Sequence, residues 1–350
     1  MIDGDPQTYD RVLSSMCTPP HEAARDAANT FLAANPGDPA TFPTIADIER
    51  DVVFALGEIA GLDDPHGYVT GGGTEANIQA VHSARNRLAG DEPNIVVPAN
   101  GHFSFRKAAA LLDVEYRESP LDDMGRADSD AMADRVDDET VLVVGVAGST
   151  EFGRVDPIPS IADLADDYGI HCHVDAAWGG FILPFTDAAW SFADAPIDSL
   201  TIDPHKFGRA AIPAGGLLAR SPEMLTALEV ETPYLESSHQ VTLSGTRSGA
   251  GVASAAAAID ALWPDGYRDQ FERAMDTKAW LVDAFADRSL NPSDPPLPLV
   301  TAAIDADRFE TLREQGWRVS TTSEGRLRIV CMPHVTRPML QDFLADFDAA

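Results

Sequence analysis

Lysine is nearly missing from this chain: Lys107, Lys206 and Lys278 are the only three in 350 residues, and arginine supplies the other 22 of the 25 basic side chains. Any chemistry that needs a primary amine therefore has few places to reside. Cysteine is equally scarce. Cys17, Cys172 and Cys331 are too few for a disulfide framework, and their spacing fits no zinc ribbon or Cys-x-x-Cys redox site, so they are expected to be small buried thiols. No stretch approaches the roughly 18 consecutive apolar residues of a membrane span, and no cationic segment near Met1 leads into an apolar run. The expectation is a soluble, cytoplasmic protein. Basic charge is also in short supply, with 25 bases against 56 acids and a net charge of −31. Such a field repels phosphate backbones and anionic membrane surfaces, which argues against nucleic-acid and membrane partners.

What is present is an alternation. From about Thr44 to Ala219, helical spacing alternates with short apolar extended segments, the pattern of an α/β fold with a largely parallel sheet. Ile45 to Ile59 reads as a helix capped by Thr44 and stopped by Gly61, and Glu75 to Leu88 as a helix following Gly71-Gly-Gly73. Asn94 to Val97, Val114 to Arg117, Val141 to Val146, His171 to Val174, Ser199 to Ile202 and Gly216 to Leu218 read as strands. After Gly249 two long helices, a Pro-rich break at 291–298 and a short α+β stretch follow. The expected division is an N-terminal segment 1–43, a large domain 44–265 and a small C-terminal domain 266–350.

Three places could carry chemistry. Gly71-Gly-Gly-Thr-Glu-Ala-Asn77 runs from a flexible loop into a helix, where free N–H groups and the Thr74 hydroxyl could hold a phosphate. It matches neither a Walker loop nor Gly-x-Gly-x-x-Gly, and an ordinary glycine turn capped by Thr74 is the plain alternative. His171-Cys-His-Val-Asp175 alternates His, His and Asp on one strand face, which suits either a metal site or a strand-end carboxylate; no further ligand cluster supports a metal. An aspartate at the carboxyl end of a strand lies where open α/β sheets bind ligands. Lys206, in Asp203-Pro-His-Lys206, follows another strand and is either a solvated loop cation or an amine placed for Schiff-base chemistry. The order of anion loop, strand-end Asp and strand-end Lys favours the second.

These segments, with His173-Val-Asp-Ala-Ala-Trp-Gly-Gly180 and Gly245-Thr-Arg-Ser-Gly249, resemble the group II pyridoxal-phosphate-dependent decarboxylases. Ser15-Met-Cys-Thr-Pro-Pro-His21, Ile212-Pro-Ala-Gly-Gly216, Glu231-Thr-Pro-Tyr-Leu235 and Leu327-Arg-Ile-Val-Cys-Met-Pro-His334 are similar to their archaeal tyrosine/aspartate decarboxylase branch. The resemblance implies the fold type I, aspartate-aminotransferase-like architecture and a homodimer. It implies that Lys206 forms a Schiff base with pyridoxal 5'-phosphate, that Asp175 pairs with the pyridine nitrogen, and that His102 and Ala177 lie on the two ring faces. Gly73, Thr74 and His205 would hold the phosphate, with Thr246 reaching in from a second copy. Tyr234 would supply a proton or simply pack, and Arg328 would hold a substrate carboxylate or stand exposed on its strand. The implied reaction is decarboxylation of a small amino acid. Tyrosine, aspartate and glutamate are the candidates.

The acidic, lysine-poor composition further resembles cytoplasmic proteins of salt-accumulating archaea, which favours L-aspartate 1-decarboxylation to β-alanine for coenzyme A. A nucleotide-binding α/β protein without pyridoxal phosphate is the rival from another class, and the absence of visible colour would mark it.

Overall fold

In the computed structural model, which describes residues 8–88, 90–233 and 236–350, a seven-stranded sheet has the order β1-β7-β6-β5-β4-β2-β3. The strands are β1 (His66–Thr70), β2 (Asn94–Pro98), β3 (Glu115–Ser119), β4 (Thr140–Val146), β5 (His171–Asp175), β6 (Ser199–Ile202) and β7 (Gly215–Ala219). β3, β2, β4, β5 and β6 are mutually parallel, and β7 runs antiparallel to both β6 and β1. Every residue of β2, β4, β5, β6 and β7 is buried. That is why β4 reads Thr-Val-Leu-Val-Val-Gly-Val without a polar alternation: a parallel sheet covered on both faces needs apolar side chains on both.

Helices α1 (Glu22–Thr30), α2 (Pro43–Ile59), α3 (Gly73–Leu88), α4 (Ser104–Leu112), α5 (Ser129–Ala133), α6 (Ile158–Tyr168), α7 (Glu223–Thr226) and α8 (Gly249–Leu262) accompany this sheet. One core binds Ala76, Ala80 and Ala84 of α3 to Phe105 and Ala108 of α4 and to Ile95, Val97, Leu142 and Val144 of the strands. The expected Thr44 cap is not used: α2 starts at Pro43 with Phe42 in the cap position and no side-chain cap bond. Proline suits the first helical position because its missing N–H would have no intrahelical partner there. Gly61, just past the helix end, does adopt the left-handed conformation at φ 69°.

Strand β1 is an edge strand whose buried stretch, Tyr68 to Thr70, is too short to read as an apolar run, and its pairing also depends on close backbone approach. A Cβ on Gly67 would sit 2.0 Å from the Leu217 carbonyl oxygen, so only glycine lets the two strands pair here.

By its internal contacts the chain divides into two compact units. The sheet above belongs to the unit formed by Pro20–Ser149 and Arg154–Pro264. That unit also contains the small ribbon β8 (Val230–Glu231) and β9 (His239–Gln240). The other unit combines Met1–Pro19, Thr150–Gly153 and Asp265–Ala350. It holds α9 (Asp265–Ala286), β10 (Leu299–Ala302), α10 (Ala306–Glu314), β11 (Ser320–Thr321), β12 (Leu327–Val330) and α11 (Arg337–Ala349), with β12 central in an antiparallel sheet. Trp317 stacks edge-on against Phe343 at 5.2 Å between ring centroids in its core. His334 binds the N-terminal segment into this unit through the Val12 carbonyl at 2.9 Å and the Thr18 hydroxyl at 3.0 Å. Among the described residues no helix is long and apolar enough to cross a membrane.

Candidate active site

The parallel strands deliver their carboxyl ends to one edge of the sheet, and the chain reverses its winding about β2, with β3 on one side and β4 on the other. Such a switch point is where open α/β sheets place ligands. His102 follows β2, Asp175 ends β5, Asp203 to Lys206 follow β6, and the glycine loop follows β1. The ends of β5 and β6 are laced together beyond the sheet: Ala176 N–H donates to Thr201 O at 2.9 Å and Asp203 N–H to Ala177 O at 3.2 Å.

The glycine loop is shaped by its neighbours more than by Thr74. Thr70 Oγ donates to the Gly72 carbonyl at 3.1 Å, and Glu75 reaches back to accept the Gly71 N–H at 2.7 Å and the Tyr68 hydroxyl at 3.1 Å. This resembles a capping box, with Glu75 at N3 reaching back one residue beyond the N-cap Gly72. It leaves Gly73 and Thr74 in the first turn of α3, where N–H groups have no intrahelical acceptor. Gly73 is buried at the meeting point of the site: a Cβ there would lie 2.9 Å from Asp203 Oδ2, 3.1 Å from Ala177 Cβ and 3.3 Å from Thr201 Cγ2. A Cβ on Gly72 would come 3.5 Å from His205 Cε1, so His205 borders the same loop. The Nδ1 of His205 donates to the Ala214 carbonyl at 2.7 Å, which leaves Nε2 for a ligand.

Lys206 Nζ stands 3.0 Å from Asp203 Oδ2, with side-chain exposures of 17% and 1%. The geometry is that of an ion pair without a well-directed hydrogen bond, since neither Asp203 oxygen meets hydrogen-bond criteria. Asp175 is buried and both its oxygens accept: Oδ2 from Asn77 Nδ2 at 2.8 Å and Oδ1 from Ala177 N–H at 3.1 Å. His102 is half-buried, with Nδ1 2.9 Å from Ser104 Oγ. Burial lowers its pKa most, the Asp175 carboxylate opposes that, and the Lys206 ammonium adds to the lowering.

The structure thus gathers Gly73, His102, Asp175, Ala177, His205 and Lys206 at one end of the sheet. Thr74 is half-buried in the first turn of α3, and Thr246 is exposed beside Arg247. Tyr234 lies outside the described residues. Arg328 belongs to the other unit, where its guanidinium is half-buried and donates to the Thr150 carbonyl at 3.0 Å and the Ser14 carbonyl at 2.9 Å. His171 and His173 share the hydroxyl of Ser199, at 3.0 and 2.7 Å. Among the described residues no group of His, Cys, Asp and Glu could hold a metal ion.

Sequence reasoning quoted Asn77 and Asp203 within motifs but gave them no task, placed Ser199 and Thr201 only as part of a strand, and passed over Ser104. For Asn77 a signal existed. It stands four residues after Gly73, and residues i and i+4 share a helix face.

Burial pushes His171 down to about 4 and His173 to about 3, from an ordinary value of 6.5. An unfolded chain takes up protons on both imidazoles as pH falls below that ordinary value, while the folded protein does not. Stability fully present above it is therefore lost as pH drops, by up to about 1.4 kcal/mol per pH unit for each ring. The urea midpoint should fall between about pH 7 and about pH 5; an unchanged midpoint would mean that the rings protonate without opening the fold.

Comparison with known proteins places the chain in a family. The family described as "Pyridoxal-dependent decarboxylase conserved domain" matches residues 32–250. A Halobacterium salinarum protein named "Probable L-aspartate decarboxylase" is 61% identical over 98% of this chain and 97% of its own length. A Methanothrix thermoacetophila protein named "Probable L-tyrosine/L-aspartate decarboxylase" is 48% identical over 97% of this chain and 90% of its own. A Lactobacillus brevis glutamate decarboxylase structure superposes with a TM-score of 0.87 at 23% identity, covering 99% of this chain and 88% of that one, a likeness of fold.

The site suits pyridoxal phosphate. A glycine at a helix start leaves room where any side chain would strike Asp203 and Ala177, a primary amine stands beside it, and a buried strand-end carboxylate keeps lone pairs for a cationic nitrogen. With the family description spanning well over half of the chain and full-length relatives at up to 61% identity, the chain belongs to the pyridoxal-dependent decarboxylase family.

Proposed function

We propose that this protein is an L-aspartate 1-decarboxylase, releasing carbon dioxide and leaving β-alanine, a precursor for coenzyme A. The observation that carries the substrate is the 61% identity, over nearly all of both chains, to the Halobacterium salinarum protein named for aspartate. Lys206 holds the cofactor through its ε-amine, with Asp203 as the buried counter-charge that keeps this amine in place. Asp175 pairs with the pyridine nitrogen, His102 and Ala177 bracket the ring, and Gly73, Thr74 and His205 take the phosphate. The bound cofactor supplies an electron sink for the pair left behind when the carboxylate departs.

What the chain itself must do is orient and protonate. Arg328 would receive a substrate carboxylate and so help to fix the substrate's orientation. Tyr234 delivers the proton to Cα after carbon dioxide leaves. Thr246 enters a neighbouring site in a cytoplasmic homodimer, and the net charge of −31 suits a salt-rich interior where ions screen self-repulsion.

The test is a single preparation in concentrated potassium chloride, assayed for carbon dioxide and amine with aspartate, glutamate and tyrosine. Aspartate is expected to react fastest. Glutamate is the demanding control, because one methylene separates substrates by only about 10- to 200-fold. Turnover of tyrosine alone would overturn the substrate while leaving the cofactor assignment standing. A colourless protein that binds no pyridoxal phosphate would overturn the cofactor roles given to these residues.

A further inference from the structure

Behind Asp175 and His102 runs a chain of side chains with no assigned part in cofactor binding: His171, Ser199, His173, Asn77 and Ser104, with exposures of 2, 0, 0, 1 and 0%. Each bond in it has a direction, because some partners can only accept. Asp175 Oδ2 accepts, so the atom of Asn77 that faces it at 2.8 Å is the amide nitrogen. Asn77 Oδ1 then faces the other way, where it takes the Thr201 hydroxyl at 2.7 Å and His173 Nε2–H at 3.1 Å. With its proton on Nε2, His173 accepts at Nδ1 from Ser199 Oγ at 2.7 Å, and Ser199 accepts in turn from His171 Nε2 at 3.0 Å. Burial holds both imidazoles neutral, and this order requires it of His173, whose Nδ1 must accept.

The second amide hydrogen of Asn77 goes to Ser104 Oγ at 2.9 Å. Having accepted there, the Ser104 hydroxyl directs its own hydrogen to His102 Nδ1 at 2.9 Å, and the Ser104 N–H approaches the same nitrogen at 3.3 Å. His102 therefore carries its hydrogen on Nε2. Turning the Asn77 amide over would set an oxygen against the Asp175 carboxylate and N–H groups against donors, so the surroundings permit one orientation only.

We infer that Asn77 is a positioning residue for cofactor binding: one carboxamide sets the carboxylate of Asp175 and, through Ser104, the tautomer and ring setting of His102. The inference rests on the reading that these two residues contact the cofactor ring. It differs from a space-filling role for Asn77 in what it requires of Ser104, whose side chain acts only by relaying the orientation of Asn77.

The experiment titrates pyridoxal phosphate into cofactor-free wild type, Asn77→Leu, Ser104→Ala and the double variant, with urea midpoints measured alongside. Asn77→Leu keeps the volume and removes the polar atoms. It is expected to weaken cofactor binding about 10- to 100-fold, the loss of one hydrogen bond to a charged group. Ser104→Ala should cost less, about threefold, and the double variant should be no weaker than Asn77→Leu alone. Nitrogen-15 spectra of labelled histidine in the cofactor-free protein should show His102 protonated on Nε2 in the wild type and a larger share of the Nδ1 tautomer in Ser104→Ala, where only the main-chain N–H still faces Nδ1. If Asn77→Leu does not fold, Asn77→Asp, which keeps the shape and removes both N–H donors, carries the same expectation.

A folded Asn77 variant that binds the cofactor within about twofold of wild type, or single losses that multiply in the double variant, would overturn the inference. An Asp175→Asn control separates the two layers. If it weakens binding while Asn77→Leu does not, the positioning role alone falls. If neither change matters, the assignment of Asp175 to the cofactor ring falls with it.

Discussion

Replacing Lys206 with arginine is expected to lower turnover by at least about 1,000-fold with every amino acid the wild type accepts, because removing a covalent group removes the step and not merely some binding. The visible absorbance of the cofactor-loaded wild type, which borohydride bleaches while fixing the cofactor to the chain, should be lost as well. Arginine is the informative replacement. It keeps a cation near Asp203, which is 1% exposed and would otherwise be left without a counter-charge, whereas alanine confounds lost chemistry with lost stability. Guanidinium stays protonated and does not act as an amine nucleophile. The other two lysines are engaged in their own contacts: Lys107 lies over the Phe103 ring at 4.8 Å on an exposed face, and Lys278 is buried and paired with Asp294 at 2.6 Å. A Lys206→Arg protein that still retained the cofactor covalently after borohydride would remove Lys206 from its proposed role.

How the sequence disclosed these features follows from where each one gets its stability. Strands β2, β4, β5 and β6 were legible to within a residue or so because complete burial demands continuous apolar runs. The edge strand β1, His66-Gly-Tyr-Val-Thr70, was not, since its place depends on Gly67 meeting the Leu217 carbonyl and on groups far along the chain. Lys206 and Asp175 stood out because a lone amine and a strand-end carboxylate have few structural uses. Asn77, Ser104 and Ser199 did not, because a buried polar residue is explained only by its partners, and those of Asn77 lie 27 to 124 positions away. The helix cap on α2 was misread for a related reason: Thr44 has the chemistry of a cap, but Pro43 before it already fixes the helix start.

Arg247, inside the Gly245-Thr-Arg-Ser-Gly249 segment, shows the same dependence on distant partners and should have the largest effect on stability. Its guanidinium pairs through both terminal nitrogens with Glu49 of α2, at 2.8 Å for Nη2 to Oε2, and the two side chains are 8% and 11% exposed. The pair also closes the open edge of the sheet: Arg247 Nη1 donates to the Val69 carbonyl at 3.0 Å and Glu49 Oε1 accepts the Val69 N–H at 2.9 Å. Those Val69 groups would otherwise be bare on an edge strand. Arg247→Met keeps the apolar stem but leaves Glu49 buried and uncompensated, and is expected to lower unfolding free energy by about 3–5 kcal/mol, read as the urea midpoint. Adding Glu49→Leu should restore part of that loss by removing the stranded charge, while the Val69 backbone groups stay unpaired and hold the double variant below wild type. A drop of less than about 1 kcal/mol for Arg247→Met would place the pair among ordinary surface bridges, and the edge of β1 would then need another source of protection.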